Sequence, residues 1–383
     1  MIHILPSFAL ATLVDGRVIM KKYQQALDQS WAETAIESEP VRIYTAPHWI
    51  SSYSLRAMAV LTKGDRILTG HEPNDLYDIT EEIHKQLNTD TVLSQNICVR
   101  ESAVFAWAGS IIALVNISCP DCRHVFDSEI DLVSIDNDWI VVKTKDNRLF
   151  VISIWKQRYS IGMRTVPIYF GDRSELAFHD VDGISEIHTG ERWMILLMKD
   201  KSAYGCNYRE SQRLGLPELL VYPKGETVSK IVDAGRYVVS VTSTNNYYYH
   251  DAQGTFNLSL RPYPISLGPL QYYFNDNIFP GPWGSIIIQS SHTHGCVTHL
   301  VRLTTMYNDR IKHLQHLDGL SIVSITCEPS CCCLTMNDGS VFWLRDTLSG
   351  ELTVTRDTFF DANLLAVSNT AAMIRSTGSI LND

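Results

Sequence analysis

The sequence predicts an all-β chain folded as a single closed β-propeller over residues 1–383. Three observations carry this expectation. An apolar or β-branched run, a tight turn of Asp, Gly or Asn, and a second apolar run recur along the whole chain. The turns centre on residues 15, 64, 108, 146, 200, 245, 294 and 338, a mean spacing of about 46 residues, with room for about four short strands per unit. Segments of helical period are scarce, which argues against a parallel α/β fold. One such unit cannot bury both its faces alone, so several must pack in a ring.

The units follow in order. The first runs from Phe8 to Met20 around Asp15-Gly16, the second from Ala57 to Gly70 around Gly64-Asp65. Val104 to Leu114 turns at Ala108-Gly109, and Trp139 to Val151 at Asp146-Asn147. Ile184 to Gly205 turns at Asp200, and Ile231 to Tyr249, with Gly235 in its first bend, turns at Asn245-Asn246. Ile286 to Leu300 turns at His294-Gly295, and Ile322 to Trp343 at Asp338-Gly339. Asp, Asn and Gly suit these positions because they tolerate the positive φ of a tight hairpin. Residues 21–38 and 79–88 are the exceptions, read as inserted helices or as polar blade-edge strands. The chain begins with the back half of a unit and ends with extended segments at 351–355 and 364–367. The expectation is therefore that C-terminal strands complete the N-terminal blade, removing two open edges; seven blades are expected, and the count leaves eight open.

Composition narrows the function. Lys plus Arg is 32 against 42 for Asp plus Glu, a net charge of −10, which disfavours direct nucleic-acid binding. Hydrophobic residues at 45% and charged residues at 19% suit a folded globular chain. No uncharged apolar run approaches about 18 residues, so no membrane span is expected. The apolar start, residues 1–14, has no leading Lys or Arg and runs into a turn, so it reads as a strand rather than a signal peptide. Nine cysteines, an odd number with Cys331-Cys332-Cys333 consecutive, fit a reducing compartment, so a cytoplasmic or nuclear location is expected.

Candidate chemistry is sparse. Cys119, Cys122 and His124 have metal-ligand spacing but no second pair, and read as an exposed reduced turn. Cys327 and Cys331 to Cys333 sit where other units place inner-strand hydrophobes, and read as small core residues. His292, His294 and His299 fall at a predicted hairpin without a nearby carboxylate, and read as a solvated loop. Asp180, Asp182 and Glu191 outline a calcium loop that Ile184 and Ser185 spoil. Tyr247 to Tyr249 and Tyr272 to Phe274 read as blade packing, and as interaction anchors wherever a ring is exposed. No nucleophile-elbow, zinc-protease, dinucleotide or phosphate-loop pattern occurs. The expectation is no metal, no cofactor and no catalytic residue that a motif identifies.

The units carry a resemblance, fullest in one of them and with a fragment of its closing loop at Gly70 to Leu76. Gly190, the run Trp193 to Met198, Asp200, Gly205, Asn207, Leu214 and Gly215 follow the order of the regulator of chromosome condensation repeat, with Arg213 interrupting the Gln-Leu-Gly of its closing loop. The chain resembles that family, whose members form seven-bladed propellers. The resemblance makes Gly190 and Gly205 sites of close backbone approach and Leu214 a plug between blades. It implies a protein–protein interaction platform or adaptor. Its narrower implication is a guanine-nucleotide exchange factor for a Ran-type small GTPase, acting by differential affinity without covalent chemistry. A hydrolase with an active site built from distant propeller loops is the third alternative.

Overall fold

The computed structural model describes residues 2–361 apart from 5–7, 14–16, 23–30, 35, 37–39, 46–57, 63, 71–72, 91–95, 101–102, 117–118, 137, 157–167, 191–192, 208–214, 235–236, 252–262, 266–276, 283–284, 293–294, 304–310, 329–330 and 347–350. The described strands form eight four-stranded sheets, each with its strands paired in chain order. Blade 1 is Ile2–Ile4, Phe8–Thr12, Val18–Lys22 and Ala32–Glu33; blade 2 is Pro40–Thr45, Met58–Thr62, Ile67–Gly70 and Tyr77–Asp78. Blade 3 is Ile97–Arg100, Ala103–Ala108, Ile111–Asn116 and Cys119–Val125; blade 4 is Ile130–Ile135, Trp139–Thr144, Leu149–Lys156 and Ile168–Glu175. Blade 5 is Ile184–Gly190, Trp193–Met198, Ala203–Asn207 and Glu218–Leu219; blade 6 is Val228–Ala234, Tyr237–Thr242, Tyr247–Asp251 and Tyr263–Pro264. Blade 7 is Asn277–Pro280, Ser285–His292, Gly295–Arg302 and Ile311–His313; blade 8 is Ile322–Glu328, Cys331–Met336, Val341–Asp346 and Leu352–Arg356.

The first strand of each blade is innermost. The first strand of blade 1 touches those of blades 2 and 8, and the same contact joins blades 2 and 3, 4 and 5, 6 and 7, and 7 and 8. Arg100 links blade 3 to blade 4 by donating through Nε and Nη2 to the Ile135 carbonyl. The core follows this ring. Its eight apolar clusters occupy the eight gaps between successive blades. Alternation along the strands explains this division: Tyr247 faces blade 7 while Tyr248 faces blade 5.

The expectation of seven blades with a shared one is corrected. Eight turn positions mark eight complete sheets. Blade 1 takes its inner strand from residues ahead of the first hairpin and its outer strand from the 21–38 segment, so it needs no strand from the C-terminus. Residues 352–356 instead form the outer strand of blade 8, and residues 364–367 lie outside the described residues. Closure is made by side chains. Thr326 Oγ1 donates to the Ile2 carbonyl at 2.9 Å, and one apolar cluster joins Ile2, Ala9 and Trp31 to Cys333, Trp343 and Phe360. At its centre the buried Asp357 carboxylate accepts from Lys21 Nζ (3.2 Å), Trp31 Nε1 (3.1 Å) and Trp343 Nε1 (2.9 Å).

The turns are also longer than the two-residue hairpins expected. In blades 2, 4, 5, 6 and 8, among the described turn residues, only the last one before the closing pair has positive φ: Asp65, Asn147, Lys201, Asn245 and Gly339, at 57° to 83°. In blade 5, Met198 N–H donates to the Ser202 carbonyl and Lys201 N–H to the Met198 carbonyl, a pattern repeated in the other four. The same blades carry one extra inner-strand residue, at 41, 131, 185, 229 and 323. Within the 79–88 exception, Thr80–Leu87 is the helix α1, whose buried Ile83 and Leu87 fill the gap between blades 2 and 3.

Candidate interaction surface

Successive antiparallel strands place the second-to-third turns and the blade-to-blade links at one end of the ring, and the remaining connections at the other. On the first end Arg17, Arg66 and Arg148 occupy equivalent positions at the start of a third strand. Each pairs with an acid of its own outer strand: Glu33, Asp78 and Glu175, at 2.7 to 2.8 Å. These pairs are solvent-exposed, so they orient side chains more than they stabilise the fold.

The interior is bonded into structure. Tyr222 O–H donates to Ser240 Oγ at 2.7 Å and lies 3.2 Å from His250 Nε2, all three buried. Burial pushes the Tyr222 phenol well above its usual range, so it stays protonated. Lys143 meets Asp131 at 2.6 Å, and Arg302 grips Asp346 at 2.7 Å from the next blade. Arg302 and Asp346 are both almost fully buried, an arrangement that fixes blade 7 against blade 8. Among the described residues, no group of three or more His, Cys, Asp and Glu side chains could hold a metal ion.

Among the described residues, four of the seven exposed large hydrophobics fall on neighbouring blade margins. Trp155 (55% exposed) lies on blade 4, and Leu216 (62%), Leu219 (48%) and Val221 (60%) on the outer margin of blade 5, while Tyr77, Val125 and Val323 stand singly on blades 2, 3 and 8. Leu220 and Tyr222 point the other way, into the gap toward blade 6, so the alternation leaves Leu219 and Val221 on the side of blade 4. Leu219 pairs with Tyr204, whose ring packs on Phe178 (5.1 Å between centroids) and His179 (5.3 Å). On the facing side of blade 4, Trp155 Nε1 donates to Ser153 Oγ at 3.0 Å. Gly171 leaves room for that indole: a Cβ there would stand 2.0 Å from Nε1. The margins of blades 4 and 5 thus present apolar side chains toward one another. Glu218 adjoins Leu219, Asp172 lies on the outer strand of blade 4 and Asp180 in the link between the two blades, each exposed and without an ion pair among the described residues.

Gly64 and Asp65 form the blade 2 turn, Asp200 the blade 5 turn, and Asp338 and Gly339 the blade 8 turn. Asp200 and Asp338 each accept from the N–H and Oγ of the Ser two residues on, Ser202 and Ser340. Gly190 is buried at the end of an inner strand, where a Cβ would meet the Trp193 ring at 2.2 Å. Gly205 and Asn207 lie in the third strand of blade 5, and Gly215 N–H donates to the Asn207 carbonyl. Asp15, Gly16, Leu214 and Gly235 lie outside the described residues, as do Glu191, His294 and Tyr272 to Phe274.

Three cysteine and histidine readings change. Cys122 belongs to a strand and is disulfide-bonded rather than reduced in a turn. Cys327 faces Cys332 across two paired strands and forms a disulfide, which corrects the expectation of small core residues for both. His299 is buried in a strand and stacks on His313 (5.0 Å), which bonds to Asp318; the sequence offers no sign of that long-range pairing.

The fold defines the class: an eight-bladed β-propeller. No family model and no curated protein matches the chain. The resemblance to the regulator of chromosome condensation repeat thus rests on the repeat units themselves, most fully on residues 190 to 215. Among solved structures, the WD40 domain of SCAP from fission yeast is 11% identical, with 84% of this chain and 87% of that one covered and a TM-score of 0.46. The computationally designed protein Ika8 is 12% identical, with 93% and 95% covered and a TM-score of 0.46. Prp20p from Saccharomyces cerevisiae, described with its binding to Gsp1p and histones, is 12% identical, with 73% and 65% covered and a TM-score of 0.33. The propeller assignment stands on the sheet order and the eight blade gaps.

Proposed function

We propose that the chain is a protein–protein interaction platform. The observation that carries this reading is the concentration of exposed apolar side chains on the margins of blades 4 and 5. Scattered single hydrophobics need no explanation, whereas a grouped set that includes a Trp marks a contact surface. The ring suits this role because each blade is braced by two neighbours, so a partner meets a surface that is already ordered. Affinity purification of the full chain from cytoplasmic and nuclear extracts, with mass-spectrometric identification, tests it. Retention of one or a few partners at stoichiometric yield is expected; recovery of none opposes the reading.

The narrower reading, exchange on a Ran-type small GTPase, draws on the repeat resemblance alone, fullest at Gly190 to Gly215. Its direct test is release of labelled nucleotide from such a GTPase. Acceleration would make exchange the platform's task, and no acceleration would leave adaptor function without it.

A further inference from the structure

We propose that the outer edge of blade 5 binds an extended, basic and apolar peptide segment by strand addition, with Trp155 of blade 4 closing over it. The proposal rests on the platform reading and names its surface and ligand chemistry. The edge itself supplies the first argument. Leu220 N–H donates inward to the Ala203 carbonyl at 2.8 Å. Backbone direction alternates along a strand, so the N–H groups of Leu219 and Val221 point outward from the sheet. Neither residue has another hydrogen bond among the described residues. A strand laid along this edge would satisfy them, the mode by which an open sheet edge captures a peptide.

Side chains supply the second argument. Leu219 and Val221 stand on the blade 4 side, where alternate residues of an added strand would cover them. Trp155 lies near the opposite end of the ring from the blade 5 turn. It is six residues past Leu149, whereas Leu219 pairs with Tyr204, one residue past the equivalent Ala203. That offset of five residues is about 17 Å at about 3.3 Å per residue. An extended segment spans it with five or six residues, too far for a single side chain to bridge.

Charge supplies the third. Glu218 lies on the edge itself, Asp172 on the outer strand of blade 4 and Asp180 in the link between the blades, all without cationic partners among the described residues, and the chain as a whole carries −10. Lys or Arg between the apolar positions of the ligand would neutralise them. Pro217 shortens the edge at one end, which limits pairing to a short segment and guards against open-ended association.

The test uses the full chain and fluorescein-labelled decapeptides with Leu or Phe at every second position and Lys or Arg between, read by fluorescence polarisation. Controls carry Glu in place of Lys and Arg, or N-methyl groups on alternate backbone amides. Expected are binding of the basic set, at least tenfold weaker binding of the acidic and N-methylated sets, and at least a tenfold loss in Trp155→Ser and in the Leu219→Ser/Val221→Ser double variant. All three variant side chains are exposed, and far-UV circular dichroism and melting confirm that each variant is folded. The Asp172→Asn/Asp180→Asn/Glu218→Gln variant should bind several-fold more weakly and with a flatter salt dependence. Equal binding of N-methylated peptides, or full binding by both hydrophobic variants, overturns this site while leaving a platform that uses another surface. Absence of any peptide binding also overturns it, and the partner purification then judges the platform reading separately.

Discussion

Removing one carboxylate should open the ring. Asp357 accepts two indole N–H groups and the Lys21 ammonium where blade 8 meets blade 1, and its Oδ1 accepts the Phe359 N–H at 3.2 Å. The Lys21 and Asp357 side chains are only 10% and 6% exposed. The ammonium also lies 5.7 Å and 5.9 Å from the centroids of the Trp31 and Trp343 rings. In Asp357→Ala the ammonium loses its counter-charge in a poorly hydrated site, a change that costs about 3–5 kcal/mol. Each stranded indole N–H adds about 1–3 kcal/mol, part of which local water recovers. A loss of about 5 kcal/mol is expected, against about 5–15 kcal/mol for a typical domain. Asp357→Asn keeps one acceptor oxygen and should lose about half as much. Replacing both charges, in Lys21→Met/Asp357→Leu, should restore at least about 2 kcal/mol relative to the sum of the single changes, because no uncompensated charge remains. Urea unfolding followed by near-UV circular dichroism reads the unaltered protein, these variants and the single changes Lys21→Met and Asp357→Leu, and amide exchange of residues 2–4 and 322–328 locates the opening. A loss below about 1 kcal/mol in Asp357→Ala, or strict additivity in the double variant, would refute the clasp.

Three further predictions follow from the same geometry. Gly190→Ala drives a methyl into the Trp193 ring and should destabilise by about 1–3 kcal/mol, seen as a lower melting temperature; an unchanged melt contradicts the close approach. Tyr222→Phe removes the hydroxyl shared with Ser240 and His250 and should cost about 1–2 kcal/mol without altering far-UV circular dichroism; a neutral result means the hydroxyl is idle. Acid should weaken the turns. Hydrogen bonds from Ser202 and Ser340 hold the Asp200 and Asp338 carboxyls below their usual 3.8. Burial pushes Asp78 and Glu226 up, but bonds from Thr80 and Arg66, and from Thr242 and Asn246, bring them below their usual 3.8 and 4.5. The unfolded chain therefore binds these protons first, so the stabilisation is complete above about pH 5 and lost as pH falls through the lowered folded values. Melting temperature should be level from pH 8 to about 5 and fall below that, with a shallower acid limb in Ser202→Ala/Ser340→Ala; an identical limb would show that these turns do not contribute.

Much of the architecture is legible in the order of residues. Alternating apolar runs and turn residues such as Asp338-Gly339 act within a dozen positions, so all eight hairpins could be located from sequence, and with them the repeat and the all-β class. Closure is a long-range matter. Residues 352–356 join blade 8 through the hairpin that pairs Asp346 with Leu352, and the ring then closes where Asp357 meets Lys21, 336 positions away, an encounter that no local pattern encodes. The surface on blades 4 and 5 is of the same kind. Trp155 and Leu219 look like ordinary core residues in sequence, since apolar positions at strand ends read alike whether a neighbouring blade covers them or the widening gap leaves them bare. Local chemistry determined the strands and turns. Only packing around the ring decided the number of blades, the partner of each edge and which hydrophobic side chains face solvent.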